Sequence, residues 1–288
     1  MDKWVFLNGD FVRSEDAHLS IYDHGFLYGD GAFEGIRAYN GKAFKLKEHV
    51  ARIFNSLKAL WIQMPMDQAA FAGSVEKLLE MNEVTDGYIR VSISRGLALG
   101  LDPRNVKGQP TIVVSTDKLS LYAQSMYDNG LEVVTVATRV ANPQVLEPRI
   151  KSLGKYVGNI QAKLEANHAG AGEGLMLTED GHVAECTGDN IFFIKNGVVN
   201  TPAAHLGILE GITRQTAMAL LEEMGIKVVE GIYTRFDLYS ADEAFLTGTA
   251  AEVIPMTMLD KRPIGDGTPG PITKKLMKVF HEYAVSQA

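Results

Sequence analysis

The sequence predicts an α/β (α+β) chain built as two domains with mixed sheets. Three observations carry that prediction. The 288 residues are too many for a comfortable single small core and enough for two compact domains. Strand-like runs are separated by helices and by several tight hairpin signals, which does not read as a regular β-α-β alternation. Hydrophobic residues make up 46% and charged residues 22%, the balance of an ordinary globular protein, which excludes a disordered or fibrous chain.

Taken in order, residues 4–7 and 9–12 form a short hairpin around Asn8-Gly9. Residues 46–61 form a helix, with Leu46, Val50, Ile53, Phe54, Leu57 and Leu60 on one face and Arg52 off that stripe. A second helix runs over 67–81, and Asp67 is a good N-cap. Residues 88–94 alternate: Tyr88, Arg90, Ser92 and Ser94 share one face, and Ile89, Val91 and Ile93 the other. Another strand follows at 111–115. The pattern then fails over 117–130, which sets a small N-terminal domain at 1–120, a linker at 121–130 and a larger C-terminal domain at 131–288.

The second half opens with a strand at 131–138, and Pro143 and Pro148 mark a loop. A helix at 156–168 ends by Gly170. Strands at 174–178, 183–186 and 191–194 follow, with hairpin turns at Asp180-Gly181 and Asn196-Gly197. Residues 213–224 form a helix stopped by Gly225. A strand at 243–247 leads into Gly248-Thr249-Ala250-Ala251, and a helix at 272–284 closes the chain. No internal repeat or low-complexity tract interrupts this series.

The formal net charge of -7 argues against nucleic acid as a partner, because phosphate backbones need clustered Lys and Arg. One cysteine, Cys186, allows no intrachain disulfide and fits a reducing compartment. The N-terminus lacks an apolar signal core, and no apolar run approaches a membrane span. The expectation is a cytoplasmic protein with no membrane partner.

Several motifs fail. Gly29-x-Gly31 is followed by Gly35, one residue too far for a dinucleotide fingerprint, and Gly35 to Gly41-Lys42-Ala43 lacks the Ser or Thr of a phosphate-binding loop. The seven His residues are scattered without metal-ligand spacing, so no metal is expected. Gly-x-Ser-x-Gly is absent.

What remains is a set. In Pro148-Arg149-Ile150-Lys151-Ser152-Leu153-Gly154-Lys155-Tyr156 a lysine lies between a loop and a helix start. The bland reading is a surface lysine. The sharper one is a Schiff-base lysine, because a partly buried ammonium has a lowered pKa and becomes a nucleophile. Glu210-Gly211-Ile212-Thr213-Arg214 opens a helix, and glycine, a hydroxyl and free N–H groups there make an anion site; a plain capped helix is the alternative. Gly248-Thr249-Ala250-Ala251 is a second place where backbone can approach a phosphate, or an ordinary turn. Val183-Ala184-Glu185-Cys186-Thr187-Gly188 places one carboxylate on a buried strand, where it needs a partner. A pyridinium N–H is such a partner, and so is a salt bridge. Together these features match the needs of pyridoxal phosphate.

With those residues in view, the chain resembles the fold-type IV pyridoxal-phosphate enzymes, specifically the branched-chain amino acid aminotransferases. The resemblance covers nearly the whole chain. It is most specific at Phe33-Glu34-Gly35-Ile36-Arg37, the Lys151 segment, residues 185–190, Gly211-Ile212-Thr213-Arg214, and Ser240-Ala241-Asp242-Glu243 through Gly248-Thr249-Ala250-Ala251-Glu252. It implies a cofactor-binding C-terminal domain with a mixed, barrel-like sheet. It further implies that Lys151 carries the cofactor and shuttles the reacting proton, that Glu185 pairs with the pyridine nitrogen and that Tyr156 donates to the phenolic oxygen. Arg52, Ile212, Thr213, Gly248 and Thr249 would hold the phosphate end. Tyr88 would bind the α-carboxylate with the Thr249-Ala250 turn, Arg90 would meet the side-chain carboxylate of glutamate, and Tyr28, Phe33 and Tyr122 would line an apolar pocket. Residues 95–100 look like the mobile interdomain loop of that family. The implied reaction is ping-pong transfer of an amino group between Leu, Ile or Val and 2-oxoglutarate, in at least a homodimer whose neighbouring subunit completes the pocket.

The Lys151-Ser152-Leu153 opening is closer to the D-amino acid aminotransferases than to the Gly-Gly-Asn-Tyr form of branched-chain enzymes. The Arg-x-His pair of that group is incomplete, since Asn105 and Val106 follow Arg104. A lyase of the same fold, acting on aminodeoxychorismate, is a third reading, and Tyr88-x-Arg90 argues against it.

Overall fold

The computed structural model describes residues 3–118 and 122–287. Contacts divide it into two units, one of Met1–Leu119, Ile150–Lys155 and Ala284–Ala288, the other of Ser120–Arg149 and Tyr156–Tyr283. The expected boundary at 120 and the first linker residue, 121, fall outside the described residues.

The first unit holds β1 (Trp4–Leu7), β2 (Asp10–Arg13), α1 (His24–Tyr28), β3 (Gly31–Tyr39), β4 (Lys42–Ala43), α2 (Leu46–Ala59), α3 (Gln68–Met81), β5 (Gly87–Ser94) and β6 (Thr111–Asp117). The strands form one antiparallel sheet in the order β2-β1-β6-β5-β3-β4. Asn8 and Gly9 both take positive φ, 54° and 110°, as the two-residue hairpin signal requires. Asp67 caps α3 by accepting from the Ala70 N–H at 2.8 Å. α2 is shorter than its periodicity predicts. It ends at Ala59, and Trp61 turns out of it with φ 57°. Ile53, Leu57, Phe71, Val75 and Leu78 of the two helices pack on Ile36, Ile89, Val91 and Val114 of the sheet.

β3 has no counterpart in the sequence reading. Its residues are buried on both faces apart from Arg37, so the apolar/polar alternation that marks a half-buried strand is absent. Residues 150–155 run beside its start: the Phe33 N–H donates to the Lys151 carbonyl at 2.9 Å, and the Leu153 N–H to the Gly31 carbonyl at 2.9 Å. Lys151, expected in the C-terminal domain, is therefore carried by the first unit.

The second unit contains α4 (Gln124–Asn129), β7 (Leu131–Arg139), α5 (Tyr156–His168), β8 (Glu173–Leu177), β9 (Val183–Cys186), β10 (Asn190–Lys195), β11 (Val198–Pro202), α6 (Ile212–Glu223), β12 (Val228–Gly231), α7 (Arg235–Tyr239), β13 (Glu243–Gly248), β14 (Glu252–Leu259), β15 (Arg262–Pro263) and α8 (Pro271–Ser286) up to Tyr283. Most of the expected linker is thus α4, which follows Ala123 without a side-chain cap. The sheet runs β12-β11-β10-β13-β14-β7-β8-β9, with β15 on β14. Pairs β11/β12, β14/β7 and β7/β8 are parallel, so the sheet is mixed as expected. Its last strand, β9, passes straight into β10 through residues 187–189, closed by the Cys186 N–H on the Asp189 carbonyl at 2.8 Å. A sheet whose edge strand returns to its third strand must curl, which gives the half-barrel. Leu131, Val133, Leu175, Ile191, Leu246 and Ile254 form its main core.

Candidate active site

In the first unit, β3 and β5 pair so that Phe33 faces Ser92, Gly35 faces Arg90 and Arg37 faces Tyr88. A polar and aromatic face results. The Lys151 ammonium lies 4.7 Å from the centroid of the Phe33 ring, and the Arg90 guanidinium carbon lies 3.8 Å from it. Cation–π attraction therefore gathers two cations on one aromatic ring. Lys151 is half-buried. A β-carbon at Gly35 would sit 2.1 Å from the Tyr88 hydroxyl, so only glycine lets that phenol lie across β3. Gly29 serves the lysine segment in the same way: its φ is 68°, and a β-carbon there would meet the Gly154 Cα at 2.8 Å.

Glu34 points to the opposite face, into the core, and is fully buried. Arg52 grips it with two hydrogen bonds, Nε to Oε1 at 2.7 Å and Nη2 to Oε2 at 2.8 Å. His49 Nδ1 lies 2.8 Å from Oε2. Burial works to raise the Glu34 carboxyl, but the Arg52 charge and the two hydrogen-bonding partners outweigh it and bring its pKa down to about 2. Burial lowers the pKa of His49, and the Arg52 and Lys151 charges add to that effect against Glu34. His49 is accordingly a neutral spacer and Arg52 the counter-ion. The sequence reading singled out Arg52 but gave Glu34 and His49 no role. Glu34 stands in the motif Phe33-Glu34-Gly35-Ile36-Arg37, but its partners were not legible, because β3 itself was not. Tyr28 ends α1 at 45% exposure with its ring edge-on to His24. In this chain it is an exposed aromatic. Residues 95–100 are held by their own unit: Arg95 bonds Asp30 and the Leu60 carbonyl, and His24 contacts Asp30 and the Gly100 carbonyl at 3.0 and 3.1 Å.

In the second unit, Glu185 on β9 is 4% exposed and accepts the Leu209 N–H at 2.8 Å on Oε2. Asn190 holds the same segment by donating to the Leu209 carbonyl at 2.9 Å, and its Oδ1 fills the space a Gly211 side chain would take, 2.2 Å from an ideal β-carbon. Gly211 is the N-cap of α6 and brings no side-chain acceptor. Ile212 and Thr213 behind it are buried. A buried helix start without a cap leaves N–H donors in need of an acceptor, and an anion meets that need. The other anion candidate is the three-residue connection from Gly248 to Glu252, which pair across β13 and β14. Glu252 takes φ 57°, the left-handed residue such a hairpin uses. Two buried polar atoms have no hydrogen-bond partner among the described residues, Thr247 Oγ1 and Arg214 Nε. They lie on the strand leading into this turn and in the first turn of α6. Buried polar groups are nearly always satisfied, so the Thr247 hydroxyl fits a polar group held at this turn, whereas the Arg214 side chain reaches away to the Pro202 carbonyl and Glu230.

Comparison with known proteins agrees with this chemistry. The amino-transferase class IV profile matches residues 31–259. The chain belongs to that family. A Methanocaldococcus jannaschii relative is 45% identical over 96% of this chain and 95% of its own. The branched-chain-amino-acid aminotransferase of Pseudomonas aeruginosa is 36% identical over 98% of this chain and 92% of its own. Among solved structures, the T.th. branched-chain amino acid aminotransferase with pyridoxamine 5′-phosphate aligns with a TM-score of 0.94 at 35% identity, covering 100% of this chain and 96% of that one.

The residues of this class IV aminotransferase fit pyridoxal phosphate on three counts: the half-buried amine of Lys151, the buried carboxylate of Glu185, and the uncapped N–H groups at Ile212 and Thr213. Thr249 and Ala250 are half-buried beside Gly248, and Tyr156 opens α5, also half-buried. Tyr122 departs from a simple apolar lining role. Its hydroxyl lies 3.3 Å from Glu173 Oε2 and 3.2 Å from Asp189 Oδ2. Burial and those two charges push its pKa well above the ordinary tyrosine value. Glu173, and a role for Asp189 within the 185–190 segment, escaped the sequence reading, because nothing in their neighbourhoods signals that distant segments will bring them together.

Proposed function

We propose that this chain is a pyridoxal-phosphate-dependent aminotransferase that moves amino groups between branched-chain L-amino acids (Leu, Ile, Val) and 2-oxoglutarate in a ping-pong cycle. The observation that carries this reading is the half-buried Lys151, its ammonium set against the Phe33 ring, within a class IV aminotransferase chain. When bound, the cofactor supplies an electron-withdrawing ring that stabilises the charge left at the substrate Cα.

The protein's residues bind, orient and move protons. Lys151 Nζ would hold the cofactor, and its free amine would take the proton from the substrate Cα. Glu185 holds the proton of the pyridine nitrogen, since a buried carboxylate favours a cationic partner. Tyr156 donates to the phenolic oxygen. The N–H groups of Ile212, Thr213 and Thr249 would bind the phosphate, with Gly248 leaving the backbone accessible, and Arg52, paired with Glu34 through Nε and Nη2, would add its charge. Tyr88 and the Thr249-Ala250 backbone take the α-carboxylate, Arg90 the second carboxylate of glutamate, and Tyr28, Phe33 and Tyr122 the branched side chain.

The chain is further read as a cytoplasmic homodimer. Among the described residues no helix is long and apolar enough to cross a membrane. Ile21, Phe26, Leu99 and Leu101 are exposed by 65%, 74%, 69% and 77% on segments joined by the Asp23/Leu97 bridge. On α5, Val157, Ile160 and Leu164 are likewise exposed. Such apolar area marks an interface.

Borohydride reduction of the holoenzyme followed by peptide mapping tests the lysine: label at Lys151 is expected, and label elsewhere refutes the assignment. A donor panel with 2-oxoglutarate tests the substrate. L-leucine should far exceed D-alanine, and pyruvate release from aminodeoxychorismate without an acceptor would instead favour the lyase.

A further inference from the structure

Tyr122 makes contacts that an apolar wall does not need. Its hydroxyl sits almost equidistant from two carboxylates that are 2% and 6% exposed, Glu173 and Asp189. Buried carboxylates are unfavourable unless compensated. Glu173 is compensated by Lys163 Nζ at 3.2 Å, the Gly174 N–H at 2.7 Å, the Thr187 N–H at 3.2 Å and the Thr187 hydroxyl. The phenol has a single proton to offer and keeps it, because burial and the two carboxylates raise its pKa. It therefore bridges the pair as a permanent donor. Asp189 has a second contact. Its Oδ1 lies 1.9 Å from where a Gly248 β-carbon would be, so the carboxylate is wedged against the start of the 248–251 turn.

We propose that Asp189 and Glu173 are positioning residues for substrate selection. They tether the Tyr122 ring by its hydroxyl, fix it as one wall of the side-chain pocket, and link that wall to the turn at Gly248. The proposal rests on the reading of Tyr122 as a pocket residue. A pocket distinguishes substrates that differ by one methylene by about 10- to 200-fold, and it does so only if its wall stays in place. A phenylalanine at 122 fills the same volume but lacks the tether.

The test is the ratio of kcat/KM for leucine over valine in the holoenzyme, with glutamate as the control donor. Tyr122→Phe and Asp189→Ala should each shrink the ratio by about 3- to 10-fold, a partial loss of that methylene discrimination, and should lower kcat/KM for glutamate less than for leucine. The double variant should lose no more than either single one, because both remove the same tether. Asp189→Asn keeps an acceptor oxygen and the wedge, and it should restore most of the ratio. Additive effects in the double variant overturn the proposal, as does a uniform KM rise for all donors. If Asp189→Ala does not fold, Tyr122→Phe alone decides: an unchanged ratio overturns the tether. Tyr122→Ala separates the two levels of the argument. If it leaves the ratio unchanged, the pocket reading itself fails. If it alters the ratio while Tyr122→Phe and Asp189→Ala do not, the pocket reading stands and the tether falls.

Discussion

Glu34→Gln offers the sharpest test of the buried charge set in the first unit. The carboxylate is fully buried and held by Arg52 and His49. Its pKa falls from the ordinary 4.5 to about 2, and one pKa unit corresponds to about 1.4 kcal/mol, so ionised Glu34 stabilises the folded chain by about 3 kcal/mol. The folded value lies below the unfolded one. The contribution is therefore complete above about pH 4.5 and is lost as the pH falls toward about 2. Breaking a buried pair by removing one partner typically costs about 3–5 kcal/mol, and Arg52, at 14% side-chain exposure, would be the cation left behind. The two estimates agree, so the variant should lose about 3 kcal/mol at pH 7. Urea unfolding followed by tryptophan fluorescence isolates the effect, because Trp4 and Trp61, the two tryptophans of the chain, both belong to the first unit. The gap between wild type and variant should narrow below about pH 4.5 and close toward about pH 2. A gap under about 1 kcal/mol at pH 7, or one that persists unchanged at pH 3, would refute the assignment of the charge to Glu34.

Three further outcomes follow from close approaches. Gly35→Ala should displace the Tyr88 phenol, whose hydroxyl lies 2.1 Å from the new β-carbon. A side-chain end can move, so thermal stability should change little while KM for amino-acid donors rises several-fold in steady-state assays. Gly31→Ala meets backbone instead, the Ile93 carbonyl at 2.3 Å and the Ser94 Cα at 2.8 Å. It should cost about 1–3 kcal/mol by denaturant unfolding and loosen the lysine segment that bonds to Gly31. Gly211→Ala places a β-carbon 2.2 Å from Asn190 Oδ1 and should disturb the helix start. Titration should show weaker binding of pyridoxal phosphate but not of pyridoxal, since only the former uses the phosphate cradle.

The sequence by itself determined much. The apolar stripe of α2, the Asp67 cap of α3, the Gly225 stop after α6, and hairpins with Asn-Gly or Asp-Gly turns were legible because periodicity, capping and turn chemistry are local properties. The lysine, the lone Glu185 and the two glycine-bearing anion turns could be singled out for the same reason, and the family motifs strengthened them. Tertiary structure alone decided the rest. β3 is buried on both faces and so carries no alternation, and with it the Glu34–Arg52–His49 set stayed hidden. Only the folded chain draws Lys151 into the first unit, through backbone bonds to a strand more than a hundred residues earlier. Likewise, Tyr122, Glu173 and Asp189 meet only through contacts spanning 51 and 67 residues. Local sequence encodes which elements form, since propensity and burial pattern act within a few residues. Which buried charges share a partner depends on how those elements pack, and no single stretch of chain records that.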